Sequence, residues 1–206
     1  MRIGPQYKIC RRVGDKIFPK CQTTKFAIAS GDQRGKRRKK ESEFGAQLLQ
    51  KQKARYTYGV SEKQFSNYVK KARKTTAGTT TAGNIFKFLE TRLDNTVFRL
   101  GIASTRSFAR QMVSHGHILV NGKRLNIPSY DVRKGDKISV RPQSQSKNLF
   151  KNDEEKASEK GHPESIPSWL IFDEKKKSGE VKNMPQFGEN ESNLDFSAII
   201  EFYSRV

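Results

Sequence analysis

Apolar residues recur at helical spacing in four stretches of the chain and alternate with polar ones in two short runs. From Phe44 to Tyr58 the pattern predicts a helix with Leu48 and Leu49 inward, while Gln47, Lys51 and Arg55 recur at i, i+4 and i+8 on another face. The next helix has a defined start. Ser61 followed by Gln64 has capping-box spacing, and Val60 and Phe65 are placed to form the hydrophobic staple around it. Phe65, Tyr68, Val69 and Ala72 then make a buried stripe, leaving Lys63, Lys70, Lys71, Arg73 and Lys74 on the remainder. Residues 75–83 (TTAGTTTAG) are too rich in Thr and Gly for a helix and predict a loop.

From Ile85 the residues Ile85, Leu89, Leu93 and Val97 follow one another at i+4, which predicts one helix ended by Gly101. Ser104 is positioned to cap a second helix running to His115 and closed by Gly116. Phe108, Ala109, Met112 and Val113 would face inward there, with Arg106 and Arg110 together on the outer face. His117 to Val120 and Lys123 to Ile127 flank Asn121-Gly122, a strong short-range hairpin signal because both positions tolerate positive φ. A turn at Arg133 to Asp136 leads into the alternating strand Lys137 to Val140.

Charge changes this picture from a small α+β protein to one built for an anionic partner. The 206 residues carry a net charge of +20 with only 33% hydrophobic residues. A core of that size is modest, and so much positive surface implies nucleic acid as the first candidate partner. Lys and Arg outnumber Asp and Glu by 21 to 5 over residues 1–83 and by 11 to 4 over 84–146, whereas 147–206 holds 9 against 12. The last third is therefore expected to pack on protein rather than follow a phosphate backbone. The densest block is Arg34-Gly35-Lys36-Arg37-Arg38-Lys39-Lys40, which repels itself and needs phosphate to become ordered; a solvated tail or a nuclear-localisation patch is the competing reading. Lys51, Lys53, Arg55, Lys63 and Lys70 extend the basic character onto the helices that follow.

Other classes find little support. Met1-Arg2-Ile3-Gly4-Pro5 lacks an apolar signal region, and no run approaches the ~18 apolar residues of a spanning helix, so no membrane partner is expected. Cys10 and Cys21 are the only cysteines, read as packing residues in a reducing compartment. With no histidine before His115, they cannot supply the four local ligands of a structural zinc, so no metal and no cofactor are expected. Neither a GxGxxG loop nor a P-loop is found, and the expectation is a protein that is not an enzyme.

The residues from Arg92 to Val140 resemble a known family. Arg92-Leu93-Asp94, Arg99-Leu100-Gly101, Ser104-Thr105-Arg106, Ala109-Arg110-Gln111, Gly116, Val120-Asn121-Gly122, Pro128-Ser129-Tyr130 and Gly135-Asp136 match the RNA-binding module first described in small-subunit ribosomal protein four. That module also occurs in enzymes, but the flanks here resemble the ribosomal family itself. They are Arg55-Tyr56-Thr57-Tyr58-Gly59-Val60-Ser61-Glu62-Lys63-Gln64-Phe65 upstream, with Pro167-Ser168-Trp169-Leu170 and Ile200-Glu201-Phe202-Tyr203-Ser204-Arg205 downstream. The resemblance spans nearly the whole chain and is weakest over about residues 147–164.

The fold it implies is α+β: a basic extended arm (1–43), a helical RNA-binding domain (44–91), an inserted ααβ module of two helices and a small antiparallel sheet (92–150), and a C-terminal segment (151–206) packing back on the helical domain. The function it implies is a structural constituent of the small ribosomal subunit. Such a protein binds a multi-helix junction of ribosomal RNA, nucleates assembly, and contributes to translational accuracy with ribosomal protein five. Neighbouring small-subunit proteins and messenger RNA, near the path by which it enters, are the other implied partners. The ribosome in question would be cytoplasmic or organellar. Some relatives carry a cysteine-ligated metal site in the arm, a pattern from which this sequence departs.

In that setting Arg106, Arg110, Gln111 and Ser104 are expected on RNA phosphates, where contacts position rather than read sequence. Lys123 and Arg124 flank the hairpin turn and reach the same RNA. His115 is read either as an RNA contact or as a structural hydrogen-bonding residue, and Tyr130 either as a stacking or hydrogen-bonding contact or as core. Arg92-Leu93-Asp94 superficially resembles the catalytic Arg-Leu-Asp of pseudouridine synthases, which can carry the same module; Asp94 is expected instead to pair locally, for instance with Arg92 or Arg99. An RNA-modifying enzyme or a free-standing RNA chaperone are the alternative readings, and neither accounts for the flanks.

Overall fold

Cys10 and Cys21, expected as separate packing residues, are joined as a disulfide at the bottom of a small core with Phe18 and Phe26. The computed structural model describes residues 3–24, 26, 42–75, 80–145, 166–173, 178–188 and 194–205. The block Arg34, Lys36, Arg37 and Arg38 lies outside the described residues. The chain divides into two units, residues 1–85 with 187–206 and the inserted residues 86–186. The architecture is α+β.

The first unit begins with α1 (Gln6–Val13) and a 3-10 turn at Pro19–Gln22. Two helices follow, α2 (Glu43–Tyr58) and α3 (Glu62–Lys74). Ser42 caps α2 by accepting from the Gly45 amide at 3.2 Å, and Ser61 caps α3 by accepting from the Gln64 amide at 3.3 Å. Only this half of the expected box forms, because the Gln64 side chain donates to the Tyr68 hydroxyl instead. Phe65, Tyr68, Val69 and Ala72 are buried as the periodicity predicts.

In α2 the inward face is the reverse of the expected one. Gln47, Lys51, Ala54 and Tyr58 are buried, while Leu48 and Leu49 are half-buried and line a groove with Ile9 and Val13 of α1. The cause is the last described helix, α8 (Phe196–Arg205), which packs along α2 and offers polar as well as apolar partners. Gln47 donates to Glu201 at 2.8 Å, Phe44 and Phe202 rings meet at 5.3 Å, and the Lys51 ammonium sits 4.6 Å above the Phe202 ring. Lys51 also donates to Glu62 at 2.8 Å, and Tyr203 of α8 donates to the same Glu62 oxygen at 2.7 Å.

Glu62 carries the pH dependence of this clasp. Burial alone would raise its pKa, but the hydrogen bonds from Lys51 and Tyr203 and the charges of Lys51 and Arg55 outweigh it, and the net shift is downward. Burial and the bond to Glu62 push the Tyr203 hydroxyl well above the ordinary phenol value, so it remains a donor. A carboxylate with a depressed folded-state pKa adds stability above its unfolded pKa and loses it as pH falls through the folded one. Glu62→Gln is therefore expected to lower the melting temperature at neutral pH and to matter less in acid, the effect being modest because the carboxylate is partly exposed. An equal loss at neutral and acid pH in thermal scans followed by circular dichroism would contradict this.

The inserted unit continues from α4 (Thr81–Glu90), through α5 (Leu93–Arg99) and α6 (Arg106–Ser114), into β1 (Ile118–Val120), β2 (Lys123–Arg124) and β3 (Lys137–Val140). A short helix α7 (Pro142–Gln145), then β4 (Leu170–Asp173) and β5 (Ser178–Val181), complete it. The helix expected from Ile85 through Leu100 is two helices. Arg92 is extended (φ −62, ψ 135) and bridges Asp131, and the amides of Leu93 and Asp94 donate to the carbonyls of Tyr130 and Pro128. The i+4 spacing runs on across this break by coincidence of register. Thr105 rather than Ser104 caps α6, accepting from the Phe108 amide at 3.1 Å.

The sheet is antiparallel in the order β2-β1-β3-β5-β4. Asn121 (φ 51) and Gly122 (φ 76) make the expected tight turn of the β1–β2 hairpin. The described residues after 150 divide between the units: β4 and β5 extend the module's sheet, and the stretch from residue 187 onward, which carries α8, belongs with the helical unit. Gly179 explains part of this placement. A Cβ there would run into the buried Leu100 side chain just after α5, so glycine lets β5 pack closely at that point without displacing it. Leu93, Val97, Ala109, Met112, Ile118, Ile138 and Trp169 fill the core between helices and sheet.

Candidate RNA-binding surface

Two buried carboxylates organise four arginines on the inserted unit. Asp94, 2% exposed, is gripped by Arg92, which donates from Nε to Oδ1 at 3.0 Å and from Nη2 to Oδ2 at 2.8 Å. Arg110 donates to the same Oδ2 from Nε at 2.7 Å, reaching across from α6. Glu90, 1% exposed, accepts both Arg99 Nη2 at 2.8 Å and Arg99 Nε at 2.9 Å. Its Oε2 also accepts from Asn95 Nδ2 at 2.8 Å, and Asn95 Oδ1 accepts from Arg106 Nε at 2.8 Å. The Arg106 guanidinium lies 4.4 Å from the centroid of the Phe98 ring.

Arg106 and Arg110 are thus one helical turn apart on one face of α6, each held at its Nε edge and each half-buried. Arg110 reaches one oxygen of Asp94 through both Nε and Nη2, and Arg106 donates one charge-assisted bond to Asn95, so the direction of each guanidinium is constrained. The face they present suits phosphate: two cations with constrained directions, near the α6 N-terminus where amides favour anions. Thr105 fills that N-terminus with its own hydroxyl, and Ser104 lies beside it, half-buried. Gln111, His115, Lys123 and Arg124 are exposed, and Arg124 Nη2 donates to the His115 carbonyl at 3.3 Å, so the hairpin cations and the end of α6 are brought together. Tyr130 is half-buried against the core, and its carbonyl accepts from Leu93.

On the helical unit the expected residues separate into two kinds. Lys63 and Lys70 stand exposed on α3. Lys51 is buried between Glu62 and two aromatic rings, which corrects its reading as an outward phosphate contact. Lys53 pairs with Asp15 at 2.8 Å; Arg55 donates to Gln52, lies 3.6 Å from Glu62 and stacks 4.5 Å over Tyr56. Lys51 and Arg55 do share a face, as their spacing implies, but that face meets Glu62.

Asp94 pairs with Arg92 as expected and with Arg110 in addition, whereas Arg99 pairs with Glu90. A carboxylate engaged by two guanidiniums is a structural anchor, not an available nucleophile. Glu90, Asn95 and Phe98 were not legible as site residues, since their roles arise from the break at Arg92. Among the described residues no group of three or more His, Cys, Asp or Glu side chains is placed to hold a metal ion, and no helix is long and apolar enough to cross a membrane.

Comparison with known proteins covers both units. The family described as "S4 domain" matches residues 91–138, and that described as "Ribosomal protein S4/S9 N-terminal domain" matches residues 1–90. The chain is 46% identical over 206 residues to the small ribosomal subunit protein uS4 of Roseiflexus sp. (strain RS-1), covering 98% of each chain. It is 41% identical over 210 residues to that of Natranaerobius thermophilus and 42% identical over 203 residues to that of Limosilactobacillus reuteri, again with 98% of each chain covered. With both domains present and similarity running end to end, the chain belongs to the small ribosomal subunit protein uS4 family.

Proposed function

We propose that this chain is a structural, non-enzymatic constituent of the small subunit of the cytoplasmic ribosome that binds small-subunit ribosomal RNA directly. The observation that carries the reading is the arginine face of α6, two guanidiniums fixed at their Nε edges beside the exposed cations of the hairpin. End-to-end similarity to proteins named for the small ribosomal subunit supports it. Phosphate positions and shape are what such a face can match, which suits a folded multi-helix junction better than a base sequence. Ser104, Gln111, His115, Lys123, Arg124 and Tyr130 complete this grip. Lys63 and Lys70, the arm residues Arg34, Lys36, Arg37 and Arg38, and the flanking Lys53 and Arg55 form a second one. Subunit assembly, translational accuracy with ribosomal protein five, and proximity to incoming messenger RNA belong to the same reading.

Sedimentation tests the class. The tagged chain is expected to travel with small subunits through a high-salt sucrose gradient; a chain that stays at the top overturns the ribosomal reading. The Arg106→Ala/Arg110→Ala double variant tests the face. Binding to a small-subunit ribosomal RNA transcript should weaken by about 1–3 kcal/mol in total, and the salt dependence should flatten by about one to two counterions. Unchanged affinity and slope in a filter-binding titration would refute it.

A further inference from the structure

Each α6 arginine is anchored on a protein group. Arg110 is anchored directly on Asp94, and Arg106 is anchored on Glu90 through Asn95, which donates to one and accepts from the other. Both carboxylates are almost completely buried, and each is also charge-balanced by a further arginine, Arg92 or Arg99. The two relays are parallel: a carboxylate gripped at both oxygens by one arginine holds the Nε edge of a second, directly for Asp94 and through Asn95 for Glu90. That arrangement has a cost if its purpose is only folding, because a buried ion pair offsets its desolvation poorly. It has a clear use if the second arginine of each relay must meet a phosphate at a set position.

We propose that Asp94 and the Glu90–Asn95 pair are positioning residues for RNA binding, which act by fixing the directions of Arg110 and Arg106 before RNA arrives. The inference rests on the reading of those two arginines as RNA contacts. Arg side chains lose considerable rotamer freedom when immobilised on a ligand, and fixing them beforehand removes that loss from the binding step. Phe98 serves the same end for Arg106, its ring packing 4.4 Å from the guanidinium carbon. The sign of the effect separates this role from bulk electrostatics. Removing an anion beside a phosphate-binding face should tighten binding and steepen its salt dependence if charge alone matters. Removing a positioning anion should weaken it.

The experiment is a pair of double-mutant cycles on the full chain, read by filter binding to a small-subunit ribosomal RNA transcript. Asn95→Ala changes no charge, and it should weaken binding about two- to tenfold, the cost of one immobilised side chain. In an Arg106→Ala background the same change should have almost no effect. Asp94→Asn should weaken binding by a similar factor, despite the gain in net positive charge, and should have almost no effect in an Arg110→Ala background. Unfolding curves followed by Trp169, the only tryptophan of the chain and buried in this unit, restrict the comparison to folded protein. Should Asp94→Asn fail to fold because Arg92 loses its partner, the Asn95 cycle alone decides. Equal weakening in both backgrounds, or binding unchanged or tighter in the single variants, overturns the positioning role. If Arg106→Ala and Arg110→Ala themselves leave affinity unchanged, the RNA face is refuted and this inference falls with it. If they weaken binding while the Asn95 and Asp94 variants do not, only the positioning role falls.

Discussion

Replacing Glu90 by alanine is expected to destabilise the inserted unit by about 3–5 kcal/mol, the usual cost of stripping one partner from a buried ion pair. Glu90 is 1% exposed and accepts hydrogen bonds from Arg99 at both carboxylate oxygens and from Asn95. Its removal leaves the Arg99 guanidinium, about a fifth exposed, without its bidentate partner, and frees Asn95 from the position in which it holds Arg106. A urea titration followed by Trp169 fluorescence measures the loss, since that ring is buried in the same core as α5 and α6. Glu90→Gln keeps the shape and one acceptor, and should recover part of the stability. A midpoint within the error of the parent for Glu90→Ala would show that the carboxylate is solvated and the network decorative.

Phe65→Ala is the counterpart on the helical unit, with an expected loss of about 3–5 kcal/mol from deleting a fully buried ring and leaving a cavity. Phe65 is 0% exposed, follows the Ser61 cap by one turn, and lies 6.2 Å from the Tyr203 ring of α8. The same substitution therefore removes the floor on which the C-terminal helix sits and the hydrophobic half of the start of α3. Far-UV circular dichroism during denaturation reads the stability, and hydrogen exchange at the amides of α8 reads the docking. The two should fall together. Loss of stability with α8 amides fully protected would separate the helix from the Phe65 core.

Several parts of this molecule were legible because their causes are local. The α3 start needs only Ser61, the staple and four apolar residues at helical spacing. The β1–β2 hairpin needs only Asn121-Gly122, whose positive φ angles are a property of those residues. Placing Arg106 and Arg110 together needs only a helix and four residues of spacing. Other parts depended on a partner distant in sequence. Leu48 and Leu49 looked like the inner face of α2, yet α8 buries Gln47 and Lys51 there by matching them with Glu201, Phe202 and Tyr203. Lys51 could not be told from a phosphate ligand without knowing that Glu62 faces it.

The amino-acid sequence by itself determined the helices and small sheet of an α+β protein, the concentration of positive charge before residue 147, the helix and hairpin signals, and the placing of Arg106 and Arg110 on one helix face, which suits an anionic partner. These follow from spacing, turn chemistry and charge, which act over a few residues. Only the tertiary structure decided that α4 and α5 are separate helices, because the strand-like pairing of Arg92 with Asp131 competes with the helix and wins. It alone decided that β4 and β5 join the module's sheet, that Cys10 meets Cys21, and that Glu90 and Asp94 hold the arginines. Those outcomes depend on which groups meet across 9 to about 40 residues of chain, where burial makes an unpaired backbone group or charge too costly and so selects its partner.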